Sequence, residues 1–494
     1  MLCVDFGSTF TKAVLLDTES TKVTKVTEVT EVTEVTEVTE VTEVTEVTEV
    51  TEATADTADG LLLTTASVPT TSSTDVLDGY RSIRETVAAA GFPDVDEVLA
   101  CSSAGGGLRL AVVGYERSVT AEAGQRVGLS AGAKVVHVAA GPMNRAQTAA
   151  LRASRPDVIL LVGGTDGGNA DVILHNGSRL AEARVGAPIV VAGNVEAQGR
   201  LATSLESTGR RFVLTDNVLP QIGVINPDGA RAAIRQMFLR HVIGGKGLSK
   251  GPEFAAMVRA ATPDAMLRGV ETLAAAADGE DGGVLVVDIG GATTDVYSVI
   301  SPEGEDAALR KEVVAPLWHA RTVEGDLGMR SNAHGVVEAA EVERLLPGPD
   351  GVDIESLHSW AARVEADPAY LPDGDDELDL DLTLARIAAL VAVRRHARPS
   401  LPGGQARPLA GLAHVIGSGG VLRHCPKARQ DNVLRAVTTD FSGGWRVPSG
   451  ARTTVDSAYL LFAAGLLADA DGYGPEVAAR VAARVLAQVA PHLH

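Results

Sequence analysis

Two short segments of the chain share one arrangement, in which an aspartate near the end of an apolar strand is followed by a glycine turn with hydroxyl side chains. In the first, residues 3–16, Asp5 precedes a turn of Gly7, Ser8 and Thr9. The backbone N–H groups and hydroxyls of such a turn suit phosphate oxygens, and a neighbouring carboxylate can hold Mg²⁺ through water. The pattern predicts a phosphate-binding hairpin, with an ordinary β-hairpin as the alternative.

The second strand of this hairpin carries two further candidates, Thr11 and Lys12. Both complete the predicted phosphate-binding set of the first segment. A lysine ammonium can approach phosphate as a point charge, but from the second strand Lys12 can equally face solvent.

Residues 286–299 repeat this design, with Asp288 near the end of the apolar strand. Two turns that each begin with Asp-x-Gly are hard to explain as coincidence, and the second one in mid-chain predicts two related lobes facing one ligand. The predicted phosphate contacts of this turn are Gly290, Gly291, Thr293 and Thr294.

A third glycine-rich turn follows an apolar strand at residues 414–422. Glycines at the start of a helix let a flat base or a sugar approach the backbone closely. Such a turn is a weak signal alone and gains weight from its place after the other two. The predicted contacts are Gly417, Ser418, Gly419 and Gly420.

These turns belong to a chain of 494 residues with 45% hydrophobic residues and a formal net charge of −21. At about 100–200 residues per domain, the length predicts about three domains or lobes. The hydrophobic fraction excludes global disorder, and the acidity argues against nucleic acid or a membrane as the main partner. The three scattered cysteines show no disulfide framework or metal spacing, so we expect a cytoplasmic protein without a structural metal.

The most unusual segment is residues 26–52, nine unbroken copies of Val-Thr-Glu. A period of three suits neither a strand nor a helix. We predict a solvated, mostly disordered insert without catalytic residues; an extended ribbon is the alternative.

Residues 93–240 alternate short apolar runs with helical stretches. Apolar runs at 158–162, 189–192 and 212–214 each end in small or polar residues, and a helical pattern covers 196–207. This alternation predicts a parallel sheet with functional loops at the carboxyl ends of its strands.

One of those loops, residues 163–169, is a candidate for binding a second anion or a protein partner through its amides and Asp166. An ordinary strand-to-helix turn, capped by Asp166 or Asn169, is the alternative. A similar short segment, residues 325–328, is interpreted as a turn.

The predicted organisation is a first lobe at 1–270, a second lobe at 284–455 and C-terminal helices at 456–494. The first lobe includes the insert and the α/β segment 93–240. The acidic run 373–381 is predicted to be a solvated loop or the first turn of a helix at 382–395. The C-terminal helices are predicted at 457–467, with Asp456 as N-cap, and at 475–489.

In their order, the three turns resemble the two phosphate turns and the adenosine turn of the actin, sugar-kinase and heat-shock-chaperone ATPases. The resemblance implies an α/β protein with a two-lobed, actin-like (ribonuclease H-like) ATPase fold, plus an additional α/β segment and a low-complexity insert. It also implies that ATP lies between the lobes and that Asp5 and Asp288 hold Mg²⁺ through water. Of these two carboxylates, Asp288 is the one that the resemblance assigns to orienting the attacking water. Ala292 replaces the third glycine of the family pattern, and its methyl group could crowd a phosphate.

Apart from the repeat, the whole chain resembles the glutamate mutase accessory proteins of the MutL or GlmL type. The match is carried by residues 5–12, 69–76, 101–108, 163–169, 288–295 and 324–330. The resemblance implies an ATP-driven chaperone, or reactivating factor, of adenosylcobalamin-dependent glutamate (methylaspartate) mutase. The mutase subunits would be its partners and would bind the cobalamin.

Two other interpretations stay open. One is a small-molecule kinase of the same fold, which needs a base carboxylate beside an acceptor hydroxyl, with Asp166 and Asp326 as candidates. The other is a nucleotide-binding scaffold without turnover, which Ala292 favours. A homo-oligomer is compatible with all three interpretations.

Overall fold

The computed structural model describes residues 1–18, 61–71, 74–95, 97–104, 108–116, 119–131, 133–243, 247–277, 283–300, 319–345, 351–399, 406–439, 447–470 and 474–487. The Val-Thr-Glu repeat at 26–52 lies outside these residues. The strands are β1 (Leu2–Phe6), β2 (Phe10–Leu16), β3 (Leu62–Pro69), β4 (Val98–Ser102), β5 (Arg109–Gly114), β6 (Lys134–Ala140), β7 (Val158–Leu161), β8 (Ile189–Val191), β9 (Phe212–Leu214), β10 (Val258–Ala261), β11 (Val284–Ile289), β12 (Thr294–Val299), β13 (His319–Glu324), β14 (His414–Ser418) and β15 (Arg452–Val455).

The α-helices are α1 (Val76–Ala89), α2 (Thr120–Ser130), α3 (Arg145–Ala153), α4 (Asp171–Ala183), α5 (Gln198–Ser207), α6 (Asp228–Met237), α7 (Glu253–Met257), α8 (Thr262–Ala276), α9 (Ala333–Val342), α10 (Ile354–Ala366), α11 (Asp375–Ala397), α12 (Gly420–Arg423), α13 (Lys427–Thr439), α14 (Leu461–Ala468) and α15 (Gly474–Ala487). Two predicted helix starts are wrong. The acidic run does form the beginning of a helix, which is one of the two alternatives, but α11 begins at Asp375 and not at residue 382. Helix α14 begins at Leu461, four residues later than expected.

Two of the sheets have the same strand order. The first is β10-β4-β1-β2-β3 and the second is β15-β14-β11-β12-β13. In each, the first three strands in chain order are antiparallel neighbours, and the other two run parallel to the first strand. This repeated order of a three-stranded meander followed by two parallel strands defines the two-lobed, actin-like fold that the glycine turns predict.

The central strand of each lobe is buried on both faces, because successive side chains of a strand point to opposite sides. In β1, Leu2 and Val4 enter the core of the first lobe, whereas Cys3 enters a core shared by both lobes. In β11, Leu285 enters the core of the second lobe and Val286 enters the shared core. The two sheets are therefore joined through one apolar layer.

Two helices, α8 and α14, lie in that shared core and pack at very short range. A Cβ on Gly269 would lie 1.9 Å from the carbonyl oxygen of Leu461, and one on Gly465 would lie 1.8 Å from that of Ala265. Only glycine allows two helix backbones to approach this closely. The reciprocal pair therefore sets the separation of the helices that connect the lobes.

The third sheet is formed by the chain between β4 and β10, so it is an insertion in the first lobe. Its order is β6-β5-β7-β8-β9, and all its strands are parallel. This confirms the parallel sheet predicted from the alternating pattern. The strand order reverses between β5 and β7, the type of position where α/β sheets form a crevice.

The two ends of the chain around the repeat lie next to each other. Leu16, the last residue of β2, pairs with Leu62 in β3, and the Asp17 amide donates to the Leu61 carbonyl at 2.9 Å. The repeat is therefore inserted at the end of the hairpin that lies away from the first glycine turn. Within the described part of the chain, no helix is both long and apolar enough to cross a membrane.

Candidate functional site

The two Asp-x-Gly turns have the same local geometry. The Gly7 amide donates to the Phe10 carbonyl at 3.1 Å, and the Gly290 amide donates to the Thr293 carbonyl at 2.9 Å. A Cβ on Gly7 would lie 2.4 Å from the Phe10 carbonyl oxygen, and a Cβ on Gly290 would lie 2.8 Å from the Thr293 carbonyl oxygen. Both positions therefore require glycine so that the chain can reverse within four residues.

The two turns face each other across the boundary between the lobes. A Cβ on Gly291 would lie 3.2 Å from Oγ1 of Thr9. Ser8 is exposed and Thr9 is partly exposed. Among the described residues no hydrogen bond occupies the amides of Ser8 or Thr9. These donors remain available for an anion in the cleft.

Thr11 lies inside the first lobe rather than in the cleft. Its side chain is fully buried and its hydroxyl lies 3.0 Å from that of Thr70. The Thr70 hydroxyl in turn donates to the Gly7 carbonyl at 2.9 Å, and its amide donates to the Thr9 carbonyl at 2.8 Å. The Thr11–Thr70 pair supports the first turn from behind.

Asp5 is 2% exposed and is surrounded by protein donors. The Thr262 hydroxyl donates to its Oδ1 at 2.5 Å, the Cys101 thiol approaches the same oxygen at 3.5 Å, and the Tyr459 hydroxyl donates to Oδ2 at 3.1 Å. Burial raises the pKa of Asp5, while Lys12 and the three donors act in the opposite direction. The arrangement fixes this carboxylate firmly in place.

Lys12 pairs with Asp5 in the strand register and its ammonium lies 3.9 Å from the centre of the Tyr459 ring. The guanidinium of Arg423 lies 5.3 Å from the centre of the same ring. These distances are typical of cation–π contacts. Burial lowers the pKa of Lys12, against the field of Asp5 and Asp288. Lys12 thus points towards the interior between the lobes, where it is half-buried.

Asp288 occupies in the second lobe the place that Asp5 has in the first, but its surroundings differ. Its side chain is partly exposed, and its neighbour in the parallel register is Ser418. Burial raises the pKa of Asp288 to about 6, and the charges of Asp295 and Asp5 act in the same direction. Lys12 and the Ser418 hydroxyl favour the ionised form and limit the shift. A pKa near neutrality is typical of functional carboxylates.

Across the second hairpin, Asp288 pairs with Asp295, a buried carboxylate with its own partner. Arg321 donates to Oδ1 of Asp295 from Nε at 2.9 Å and from Nη2 at 2.6 Å. The Thr293 hydroxyl donates to Oδ2 at 2.9 Å. The Thr294 hydroxyl donates to the Leu327 carbonyl at 2.6 Å and is fully buried. Thr293 and Thr294 therefore support the second turn from within the lobe.

The segment after β13 holds the second turn in place, which agrees with its interpretation as a turn. The Met329 amide donates to the Gly290 carbonyl, and the Arg330 and Ser331 amides donate to the Gly291 carbonyl. A Cβ on Gly328 would lie 2.4 Å from the Ala292 backbone. The backbone at Ala292 is thus confined from the side opposite the cleft.

Arg330 itself anchors this segment to α11. Its guanidinium donates to both carboxylate oxygens of Asp381 at 2.8 and 3.0 Å, and Trp360 Nε1 donates to Oδ1 at 3.1 Å. Asp381, 2% exposed, belongs to the acidic run. The expectation of a solvated run is wrong for this residue because its carboxylate neutralises a buried arginine.

The third turn lies beside the second, and its four predicted residues have different surroundings. A Cβ on Gly417 would lie 2.5 Å from Leu422, inside the core, and one on Gly419 would lie 2.2 Å from the Ile289 carbonyl oxygen. Ser418 is fully buried, and its hydroxyl lies beside Asp288. Gly420 faces open space. Of the four, Gly420 is placed for close approach of a ligand, whereas Gly417 and Gly419 allow the turn to pack.

The donor set of the cleft suits a partly hydrated Mg²⁺ better than a directly ligated metal. Among the described residues there is no group of three or more His, Cys, Asp or Glu side chains that could hold a metal ion. Mg²⁺ keeps several waters and takes one or two carboxylates together with phosphate oxygens. Asp288, which is partly exposed and has few protein donors around it, fits that requirement.

The loop after β7 is tied to its own sheet. Oδ1 of Asp166 accepts from the Val195 amide at 3.1 Å and from Asn217 Nδ2 at 2.9 Å. Asn169, not Asp166, accepts from the first amide of α4, at Asp171. The N-cap position of α4 is Ala170, so Asn169 supports the start of the helix from one residue before the cap, and Asp166 braces neighbouring loops.

Comparison with known proteins identifies the family. The family model of the MutL protein matches residues 42–486. Protein MutL of Clostridium tetanomorphum is 31% identical over 506 residues, which cover 99% of this chain and 99% of that protein. The chain belongs to the MutL protein family.

Solved structures give more distant similarities. A nucleotide-free acetone carboxylase has a TM-score of 0.33 and 12% identity, covering 94% of this chain and 69% of its own. An ATP-dependent caprolactamase from Pseudomonas jessenii has a TM-score of 0.35 and 12% identity, and the match covers 99% of this chain and 77% of the caprolactamase chain. The fold assignment rests on the strand orders described above.

Three residues of the cleft escape sequence reasoning: Thr262, Arg423 and Tyr459. Thr262 begins α8, Arg423 ends α12, and Tyr459 lies between β15 and α14, so none of them belongs to a glycine turn. Their proximity to Asp5 and Lys12 depends on tertiary contacts across as many as 454 residues. The only local signal was at Arg423, a cation soon after the third glycine turn.

Proposed function

We propose that this protein hydrolyses ATP to act as a chaperone, or reactivating factor, of adenosylcobalamin-dependent glutamate (methylaspartate) mutase. The observation that carries the ATP-binding half is the opposition of two equivalent glycine turns, with Gly291 against Thr9. The mutase half rests on membership of the MutL family together with the resemblance to glutamate mutase accessory proteins.

In the proposed complex, ATP lies between the lobes. The amides of Ser8 and Thr9 bind phosphate oxygens from the first lobe, and the turn at Gly290 and Gly291 binds them from the second. Gly420 leaves room for the nucleoside. Little covalent chemistry is required of the protein, because positioning and charge neutralisation supply the rate of phosphoryl transfer.

The two aspartates take different parts in this proposal. Asp5 is held by Thr262 and Tyr459 and positions the first turn, with one oxygen lone pair left to accept from a metal-bound water. Asp288 is partly exposed and is proposed to orient the attacking water and to bind a second metal-bound water. Mg²⁺ would neutralise phosphate charge when bound.

The charges in the cleft suit a metal–phosphate complex. Lys12 and Arg423 supply two positive charges, and Asp5, Asp288 and Asp456 supply three carboxylates. Burial raises the pKa of all three carboxyl groups. A divalent cation would pair with the carboxylates, and a polyphosphate would pair with Lys12 and Arg423. These charges therefore support a metal–polyphosphate ligand over a neutral one.

Lobe movement is the proposed link to the partner. The lobes are joined at α8 and α14, and Arg235 of the inserted α/β segment donates to Asp264 on α8 and to Asp469 after α14. Closure of the cleft around ATP must therefore be accommodated at these helices, and the inserted segment is tied to both of them. Domain closure of this kind commonly carries a signal to another protein.

The test is phosphate release from Mg-ATP by the purified protein, with and without glutamate mutase that carries inactivated cobalamin. We expect release that rises with the mutase and vanishes in Asp288→Asn. Asp353→Asn is the matched control, because Asp353 is an exposed aspartate that caps α10 and asparagine also caps helices. Binding without release would favour a scaffold, and a phosphorylated small product would favour a kinase. Cytoplasmic location, part of the same proposal, is testable by fractionation.

A further inference from the structure

Tyr459 has a backbone conformation that large side chains rarely adopt. Its φ is +56°, in the left-handed region, and the residue is 2% exposed. For a bulky residue such a conformation is a genuine outlier that costs free energy. Strain of this kind persists where the surroundings over-determine it and is concentrated at functional sites.

The surroundings of Tyr459 do over-determine its position. It lies between β15 of the second lobe and α14. Both carboxylate oxygens of Asp456 accept from the amides that follow, Leu460 at 2.7 Å and Leu461 at 3.0 Å. The guanidinium of Arg423 donates to the Ser457 carbonyl at 3.0 Å. The residue is therefore held from both sides along the chain.

The side chain of Tyr459 contacts charged groups of both lobes. Its hydroxyl donates to Asp5 at 3.1 Å, and its ring centre lies 3.9 Å from the Lys12 ammonium. Both residues belong to the first lobe. The Arg423 guanidinium of the second lobe lies 5.3 Å from the same ring centre. No other aromatic ring in the described part of the chain contacts cations from both lobes.

We propose that Tyr459 is a positioning residue for phosphate recognition, whose hydroxyl fixes Asp5 and whose ring holds Lys12 and Arg423 together at the cleft. The identity of the ligand as phosphate rests on the proposed function. The placement of Lys12 by the ring does not depend on that function. The charges of Lys12 and Arg423 repel each other at this half-buried position, and the negative face of the Tyr459 ring stabilises both. The strained backbone is what brings the ring to that point.

The test separates the hydroxyl from the ring. Tyr459→Phe keeps the ring and removes the donor to Asp5. Tyr459→Asn removes the ring but tolerates the left-handed backbone. Tyr80→Phe is the matched control, because Tyr80 is another buried tyrosine of the first lobe that packs on Phe6. Circular dichroism and thermal melting establish whether each variant is folded. If Tyr459→Asn does not fold, Tyr459→Met is used in its place, because it also lacks the ring.

The first readout needs no nucleotide. Acylation of lysines by acetic anhydride is followed by mass spectrometry, with exposed Lys427 as the internal reference. We expect Lys12 to react at least five times faster in Tyr459→Asn than in the natural protein. In Tyr459→Phe and Tyr80→Phe its rate should stay within twofold. An unchanged rate in a folded variant without the ring overturns the proposal.

The second readout is the split between KM and kcat for Mg-ATP. We expect Tyr459→Phe to lower kcat about tenfold with KM within twofold, and Tyr459→Asn to raise KM at least tenfold as well. Equal, small effects in Tyr459→Phe and Tyr80→Phe would indicate a packing role only and would contradict the proposal. If the natural protein neither binds nor hydrolyses ATP, the proposed function fails, and the lysine labelling decides the placement of Lys12 alone.

Discussion

The hydroxyl of Thr9 in the first lobe lies 3.2 Å from the point where a Cβ on Gly291 of the second lobe would stand. The two glycine turns are therefore nearly in contact. A polyphosphate can enter only if the lobes separate or the turns shift. Small residues at this point leave the most room for that ligand.

A methyl group at this contact should weaken nucleotide binding. Gly291 does not have a positive φ, so alanine fits its backbone, but the new Cβ must displace Thr9 or the lobe that carries it. We expect Gly291→Ala to raise the Kd for Mg-ATP at least tenfold, measured by calorimetry. Gly199→Ala, in open space on α5, is the control and should leave Kd unchanged. Unchanged affinity in both would mean that the turns do not converge on the nucleotide.

The pKa of Asp288 predicts the acid limb of activity. Burial raises this pKa to about 6, and the ionised form is the one proposed to orient water. We expect kcat/KM for ATP to fall about tenfold per pH unit below pH 6, because that parameter reports groups of the free enzyme. Asp288→Asn should lower kcat at least ~100-fold. An acid limb well below pH 5 would show that another group controls the rate.

The same carboxylate should cost stability at neutral pH. Because the folded-state pKa of Asp288 is raised, the native protein holds the proton more tightly than the unfolded chain. Its contribution to stability is therefore present at low pH and is lost as pH rises towards and through about 6. Asparagine mimics the protonated form, so we expect Asp288→Asn to melt at a higher temperature than the natural protein at pH 7.5.

Asp295, the cross-strand neighbour, is the matched control for that measurement. Asp295→Asn leaves Arg321 buried without its carboxylate, a change that typically costs about 3–5 kcal/mol. We therefore expect the two substitutions to shift the melting temperature in opposite directions. A lower melting temperature for both would indicate that Asp288 also stabilises the fold.

The separation of the lobes depends on the glycines between α8 and α14. A Cβ on Gly465 would lie 1.8 Å from the Ala265 carbonyl oxygen. Because this oxygen belongs to the backbone of α8, the clash can be relieved only if one helix moves away from the other. We expect Gly465→Ala to lower the free energy of unfolding in urea by ~4 kcal/mol or more, or to prevent folding. Gly199→Ala, also within a helix, should be neutral or slightly stabilising. A well-folded Gly465→Ala protein would contradict the close crossing.

Local patterns were sufficient for the two hairpins, because an apolar strand, an Asp-x-Gly turn and a second strand are all encoded within about fifteen residues. The same holds for the parallel sheet between β4 and β10, whose strands alternate regularly with helices. The order of the turns along the chain then carried the resemblance to the actin-like ATPases, and that resemblance implied the two-lobed fold. Nothing in these inferences required knowledge of a distant contact.

Distant contacts account for what sequence reasoning missed. Thr11 and Thr294 have the residue type of phosphate ligands, but their hydroxyls bond to Thr70 and to the Leu327 carbonyl inside the lobes. Asp381 belongs to an acidic run, and its neutralisation by Arg330 requires the segment after β13 to reach α11. Tyr459 meets Asp5 from 454 residues away. A periodic pattern carries no information about such partners.

The Val-Thr-Glu repeat should be dispensable for binding nucleotide. It is inserted beyond Leu16 and Leu62, at the end of β2 that lies seven residues, or about 23 Å, from the first turn. Deletion of residues 26–52 removes nine glutamates and changes the net charge from −21 to −12. That distance exceeds the Debye length of about 8 Å at physiological salt, so the lost charges should not act on ATP.

We expect the deletion variant to bind Mg-ATP with a Kd within twofold of the full chain at 150 mM salt. Repeating the titration at 20 mM salt is the control, because screening weakens there and any influence of the nine charges on the cleft would become visible. A large loss of affinity at both salt concentrations would mean that the repeat contacts the cleft directly. In that case its insertion at the far end of the hairpin would not keep it away from the nucleotide.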